Sequence, residues 1–188
     1  DTFRNRIMFP IFDESGSPIA FGGRRINDED EPKYINSPET ELFSKSKTLY
    51  GYHIARPAIQ SLNKVMVVEG YTDVIGCHQV GVTNVVATLG TALTTNHAEK
   101  LSRICDEVIL VFDGDEAGQR AADRAVEVFF AKNIDVKICV LPEGKDPADL
   151  ASDSDTLLEY FNNSVDVISY KLARLDSSLQ ATETISGK

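Results

Sequence analysis

The sequence predicts an α/β fold built on a mainly parallel, four-stranded sheet flanked by helices. Two observations lead there. From residue 64 onward, strand-like and helix-like segments alternate strictly, and the strand-like segments are apolar throughout instead of at every second residue. Such strands are buried on both faces, as happens when crossover helices cover a parallel sheet. An N-terminal β-hairpin and loop portion precedes this unit, and a short helical segment follows it.

The elements follow in order. "RIMFPIF" and "IAFGGRRI" are two β-rich runs around the turn "DESGSP", which reads as a hairpin. "NDEDEPKYINSPETELFSKSK" is polar and aperiodic, so it is expected to be a long surface loop, functional or disordered. "LYGYHIARPAIQSL" has a helical pattern with an interruption expected near Pro57. "KVMVVEG" is a strand, "TDVIGCHQVG" a helix closed by Gly81, and "TNVVATL" a strand. "NHAEKLSRICDE" is a helix, with Asn96 and Glu99 at capping-box spacing. "EVILVFD" is a strand, "EAGQRAADRAVEVFFAKN" a helix with Ala122, Val126 and Phe129 on its apolar stripe, and "DVKICVL" the last strand. Two weaker helical patterns, "SDTLLEYFNN" and "VDVISYKLARLDSSL", lead to a polar tail expected to fray.

Composition narrows the function classes. At 188 residues and 42% hydrophobic content the chain can bury a substantial core. No apolar run approaches the roughly 18 residues of a membrane span, so no membrane partner is expected. The start "DTFRNRIMFP" is neither a signal peptide nor an initiator methionine, and reads as part of something longer. Cys77, Cys105 and Cys139 are odd in number and far apart in apolar segments, which argues for reduced cytosolic thiols and against a disulfide framework or a zinc site. His53, His78 and His97 offer no ligand spacing. The net charge of −10 disfavours a generic nucleic-acid coat. Residues 1 to 56 carry 8 basic and 9 acidic residues, net −1, so the other −9 lies in residues 57 to 188. An anionic partner suits the first part and a cation the second.

Acids collect where such a sheet binds ligands, beyond the carboxyl ends of its strands. Glu69 follows one strand, Asp113 and Asp115 another, and Asp146 and Asp149 a third, with Asp73 a helical turn beyond Glu69. The i, i+2 spacing of Asp113 and Asp115 aims both side chains one way if the strand continues, and Gly114 leaves room for close approach. An all-carboxylate rim suits Mg²⁺ or Mn²⁺ better than zinc, because hard cations take oxygen ligands. The plainer reading is capping. Asp115 could cap the next helix, and Asp146 before Pro147, with Asp149 three residues on, has the pattern of an N-cap. In the preceding loop, Arg24, Lys33, Lys45 and Lys47, with Tyr34, Asn36 and Tyr50, could hold phosphates and stack on a base, or form a solvated charged surface.

Longer motifs go further than these spacings. "VVEGYTDVI", "VVATLGTALT", "VILVFDGDEAGQRAADRA" and "LPEGKDPADL" resemble the Toprim domain of the bacterial DnaG-type primases. The upstream "RIMFPI", "FGGR", "PKYINSPET" and "LFSKSKTLYG" resemble the polymerase core of the same family, so the resemblance spans roughly residues 3 to 150.

That resemblance implies a Toprim-type fold and a DNA-directed RNA polymerase that makes short primers on a single-stranded DNA template from ribonucleoside triphosphates, using Mg²⁺ or Mn²⁺. It implies catalytic, metal-binding acids at Glu69, Asp113 and Asp115, with Asp146 contributing and Asp73 supporting. Asp149 is included among the metal ligands, although this chain has Asp146-Pro147-Ala148-Asp149 where the family usually has Asp-Pro-Asp. Arg24, Lys33, Tyr34, Asn36 and Lys45 would line the nucleotide and template path. The expected division is a partial N-terminal subdomain at 1–63, the Toprim domain at 64–150 and a truncated helical segment at 151–188. The replicative helicase and single-strand-binding protein are expected to engage regions absent here, in the cytoplasm at the replication fork. No zinc is expected, and the fragment alone should prime poorly. Rival readings are a Toprim nuclease, a phosphohydrolase with Asp113 as nucleophile, disfavoured by Glu116 where Thr or Val is usual, and a non-catalytic Mg²⁺-dependent nucleotide-binding module.

Overall fold

The structure, a computed structural model, describes residues 2–112, 125, 127–129, 132, 134–142, 144–151 and 154–183. Strands β1 (Arg6–Phe12) and β2 (Pro18–Arg25) form the expected hairpin. β3 (Tyr34–Asn36) pairs with β2 and completes a three-stranded antiparallel sheet. Three residues carry no period, which is why the polar stretch containing β3 reads as loop. The same stretch is anchored by Phe43, which is fully buried while the adjacent Leu42 is exposed.

The second sheet has the order β5-β4-β6-β7-β8, with β4 (Lys64–Val68), β5 (Val85–Ala87), β6 (Glu107–Phe112) and β7 (Asp135–Val140) parallel. The four expected parallel strands are joined by a fifth, antiparallel one, β8 (Val165–Asp166), which pairs only two residues at the β7 edge. That pairing occupies the start of the segment read as the last helix.

Helices α1 (Tyr52–Leu62), α2 (Tyr71–Gln79), α3 (Thr95–Ser102), α4 (Pro147–Leu150), α5 (Ser154–Asn162) and α6 (Val167–Glu183) complete the described elements. Ala125 and residues 127–129 are also helical, within the helix expected at 116–133; Ala122 and Val126 lie outside the described residues. Pro57 does not interrupt α1. It lies well inside the helix, which continues to Leu62 and ends at Asn63 in a left-handed conformation. The start of α3 also differs from expectation. Thr94, not Asn96, is the N-cap, and His97 occupies the position given to Glu99. The Thr94 hydroxyl accepts from the His97 amide while the His97 ring accepts from the Thr94 amide. An imidazole at that position lies outside the usual Glu/Gln signature.

Apolar side chains fill both faces of the parallel sheet. Tyr52, Ala55 and Ile59 of α1, Ala98 and Leu101 of α3, Phe129, and Tyr170 of α6 cover one face. Val74 and Cys77 of α2 with Leu157 and Phe161 of α5 cover the other. All three cysteines are buried and unpaired, and burial pushes each thiol up to about 12, so they pack as inert apolar groups. No helix among the described residues is long and apolar enough to cross a membrane.

A third cluster joins the two sheets. Phe9, Ile11 and Ala20 of the hairpin, Phe43 of the loop, Tyr71 of α2 and Leu89 pack together. The Tyr71 ring stacks on Phe9 at 4.9 Å and meets Tyr50 edge-on at 4.7 Å. Gly22 makes this possible, because a Cβ there would lie 2.4 Å from the Tyr71 ring. The "FGG" of β2 therefore serves close packing. Gly22→Val should destabilise the protein by about 2 kcal/mol or more through overpacking, read as a lowered midpoint in chemical denaturation. An unchanged midpoint would mean that the junction has slack.

Candidate functional site

The topology dictates where a site can form. From β4 the chain moves to one side for β5 and to the other for β6, so the switch point lies between β4 and β6. At its rim a cleft of about 290 Å³ is lined by Glu69, Asp73 and Asp146 together with Lys33, Tyr34 and Asn36. Acids from two strand ends thus face the cation and aromatic ring of the antiparallel sheet. Asp113 and Asp115 follow β6 directly and lie outside the described residues. Among the described residues no group of three or more His, Cys, Asp or Glu is close enough to hold a metal ion.

Each acid has a local reason for its place. Glu69 leaves the end of β4 just before Gly70 and α2. Asp73, buried in the first turn of α2, accepts from the Gly70 amide at 2.9 Å, and its charge complements the helix N-terminus. Asp146 caps α4 by accepting from the Asp149 amide at 2.8 Å, with Pro147 at the first helical position. Asp149 reciprocates, accepting from the Asp146 amide at 3.4 Å, and is exposed. Capping and rim placement coexist at Asp146, since a carboxylate has two oxygens and the cap occupies one. Asp149 does not line the cleft.

α4 reaches the rim because α2 is narrow at Gly76. A Cβ at Gly76 would stand 3.1 Å from the Ala148 Cα and 3.2 Å from the Ala151 Cβ. The small Ala148 in Asp146-Pro147-Ala148-Asp149 thus packs where a larger side chain would press on α2.

The opposite wall is β3. Asn36 donates to the Leu89 carbonyl at 2.9 Å and accepts from the Tyr71 hydroxyl. Burial pushes the Tyr71 phenol well above its usual range, keeping it protonated as a donor. Lys33 and Arg24 lie over the Tyr34 ring, 5.9 and 5.8 Å from its centroid. Of these two cations, Lys33 lines the cleft and Arg24 does not.

Lys45 also lies outside the cleft lining. It belongs to the segment held by the α3 cap, whose Thr94 hydroxyl donates to the Ser46 carbonyl at 2.6 Å. His97 is fully buried beneath this segment, and burial lowers its pKa. Tyr71, Thr72, Thr88 and Gly90 line the cleft without having been singled out in the sequence. Thr88 and Gly90 follow the end of β5, so the strand-end rule locates them, but they lack the charge that drew attention to the other ends.

The class of protein is a Toprim-type α/β core joined to an antiparallel sheet through its ligand-binding rim. Residues 1–56 match the family described as DNA primase catalytic core, N-terminal domain, and residues 66–151 the Toprim-like family. The DNA primase of Pseudomonas aeruginosa is 50% identical over 153 residues, 80% of this chain and 23% of that protein. That of Clostridium acetobutylicum is 42% identical over 176 residues, 93% of this chain and 29% of that protein.

Among solved structures, a DNA primase domain from Pseudomonas aeruginosa superposes with a TM-score of 0.86 at 44% identity, covering 93% of this chain and 56% of that one. The Escherichia coli primase catalytic core gives a TM-score of 0.86 at 38% identity, covering 93% and 57%. A DnaG primase catalytic domain bound to single-stranded DNA gives 0.82 at 38% identity, covering 88% and 55%. The chain belongs to the bacterial DnaG-type primase family, and its fold is that of the family's catalytic core. It spans about a quarter of the length of these curated relatives.

The two roles of Asp146 can be separated. Asp146→Ala should cost about 1 kcal/mol through the lost cap, whereas Asp146→Asn, which still caps, should keep wild-type stability. Equal losses in thermal denaturation would show that the charge, not the cap, supports the fold.

Proposed function

We propose that this chain is the catalytic segment of a DNA-directed RNA polymerase that synthesises short RNA primers on single-stranded DNA. The observation that carries the reading is the cleft in which Glu69, Asp73 and Asp146 face Lys33 and Tyr34 across the switch point. An acidic wall opposite a basic and aromatic wall suits a nucleoside triphosphate accompanied by a divalent cation. The kinship with DNA primases supports the same reading and does not favour a nuclease or a phosphohydrolase.

The residues present fit Mg²⁺ or Mn²⁺. The described acids of the cleft are carboxylates, and no His or Cys is among the described residues lining it. Glu69, Asp113 and Asp115 would hold the metal, with Asp146 contributing. When bound, such a cation supplies charge that lowers the pKa of the primer 3′-hydroxyl and neutralises the triphosphate.

The chain's own groups do the rest. Lys33 donates to the triphosphate, and the Tyr34 ring supports a base or the cations stacked upon it. Asn36, braced between Tyr71 and Leu89, holds β3 against the rim and offers the second N–H of its amide to the cleft. Asp73 fixes the turn that presents Glu69, and Asp149 orients Asp146 through the reciprocal cap. Arg24 and Lys45, set back from the cleft, extend its positive field towards the template. In the whole protein we place this segment at the bacterial replication fork, in the cytoplasm, with the replicative helicase and single-strand-binding protein as partners. We propose the division at 1–63, 64–150 and 151–188: the antiparallel sheet and α1 fall in the first part and β4 to β7 in the second, while β8 of the second sheet belongs to the third.

Glu69→Gln and Asp113→Asn, made in the full-length protein, should each reduce primer synthesis by at least about a hundredfold with thermal stability retained. Wild-type synthesis in both variants would overturn the assignment.

A further inference from the structure

Arg6 lies outside the cleft, yet its guanidinium reaches across the base of the 26–33 loop. One nitrogen, Nη1, donates to the Pro32 carbonyl at 2.8 Å and approaches the carbonyls of Gly23 and Lys33, each at 3.5 Å. The other, Nη2, approaches the Asp30 carbonyl at 3.5 Å. Among the described residues no carboxylate lies within ion-pair distance of Arg6. Its charge is met by the Gly23 carbonyl of β2 and by the Asp30, Pro32 and Lys33 carbonyls at the closing end of the loop, an arrangement suited to a planar fork and unsuited to a point charge.

The loop so gathered carries the residue that matters. Lys33 follows Pro32 and precedes β3, and its carbonyl also accepts from the Arg25 amide at 3.0 Å. Arg25 pairs with Glu31 and, at 3.4 Å, with Asp28, which ties the acidic tip of the loop to β2. The Ile26 amide donates to the Asn5 carbonyl at 3.1 Å, joining the same loop to the segment before β1. The backbone on both sides of Lys33 is therefore held from beneath by Arg6, while the Lys33 side chain faces the cleft.

We propose that Arg6 is a positioning residue for nucleotide binding. Its fork clamps the 26–33 loop so that Lys33 and Tyr34 are presented to the triphosphate in a fixed arrangement. The inference rests on the reading of the cleft as a nucleotide site, and it adds a residue that touches neither nucleotide nor metal. A clamp of this kind acts on ground-state and transition-state binding alike, so its loss raises KM and leaves kcat nearly unchanged. A residue that merely stabilised the fold would lower the melting temperature without splitting KM from kcat.

The test is steady-state primer synthesis by the full-length protein on a single-stranded template, with ribonucleoside triphosphate varied, for Arg6→Met, Arg6→Lys and Lys33→Ala. Both Arg6 variants should raise the nucleotide KM about tenfold and hold kcat within about twofold. Arg6→Lys keeps the charge and most of the stem, so wild-type kinetics in that variant would overturn the proposal by showing that charge alone suffices. Unchanged KM in both variants would overturn it as well. Should Arg6→Met fail to fold, Arg6→Lys decides alone, with a raised KM supporting the clamp and a wild-type KM refuting it. Lys33→Ala separates this inference from the reading beneath it. If Lys33→Ala leaves KM unchanged, the nucleotide site itself is misassigned; if it raises KM and the Arg6 variants do not, only the clamp fails.

Discussion

The packing of Tyr71 into the gap above Gly22 is the contact on which the rest of the molecule depends. One ring, at the first position of the helix that follows Glu69, stacks on Phe9 of the hairpin and hands its hydroxyl to Asn36 of β3. It therefore binds the antiparallel sheet directly to the strand-to-helix turn of the parallel one. Without that junction the acidic rim and the basic loop would be separate surfaces. With it they become two walls of one cleft.

The two ends of the parallel sheet show how charge is managed. At the amino ends of the strands, Glu107 sits between Lys64 at 3.6 Å and Lys137 at 2.6 Å, and the hydrogen bond to Glu107 raises the Lys137 pKa. Charge there is neutralised locally. At the carboxyl ends, Glu69, Asp73 and Asp146 share a cleft in which Lys33 is the one lysine or arginine among the described lining residues. Caps and a helix N-terminus support Asp73 and Asp146 individually, so the fold tolerates an acidic rim that a bound cation and its nucleotide would complete.

Much of this was legible in the sequence because the signals were long. Uninterrupted apolar strands, the Gly81 stop and the Asp146-Pro147 start each carry a physical cause that survives in three dimensions. What was not legible was short or solitary. β3 and β8 span three and two residues and have no period; Leu42 and Phe43 stand side by side in a polar run, and no pattern says that Phe43 is the one buried. His97 caps through an imidazole outside the usual capping vocabulary, and Pro57 is accommodated within α1. The rim was located from strand ends carrying acids, but Tyr71, the residue that closes the cleft, belongs to the packing between two sheets, and no local pattern announces such a contact. Asp149 is legible as an acid beyond a strand end, but its reciprocal cap of Asp146 emerges only in the fold.

A cleft that holds a divalent cation together with a nucleoside triphosphate, as we propose, should show both in a crystal. The most direct measurement is anomalous diffraction from crystals of the protein grown with Mn²⁺ and a ribonucleoside triphosphate. Manganese peaks are expected against Glu69 and the acids that follow β6, with the triphosphate turned towards Lys33. Manganese and nucleotide located elsewhere on the protein, with the cleft between Glu69 and Lys33 filled only by solvent, would contradict the proposal.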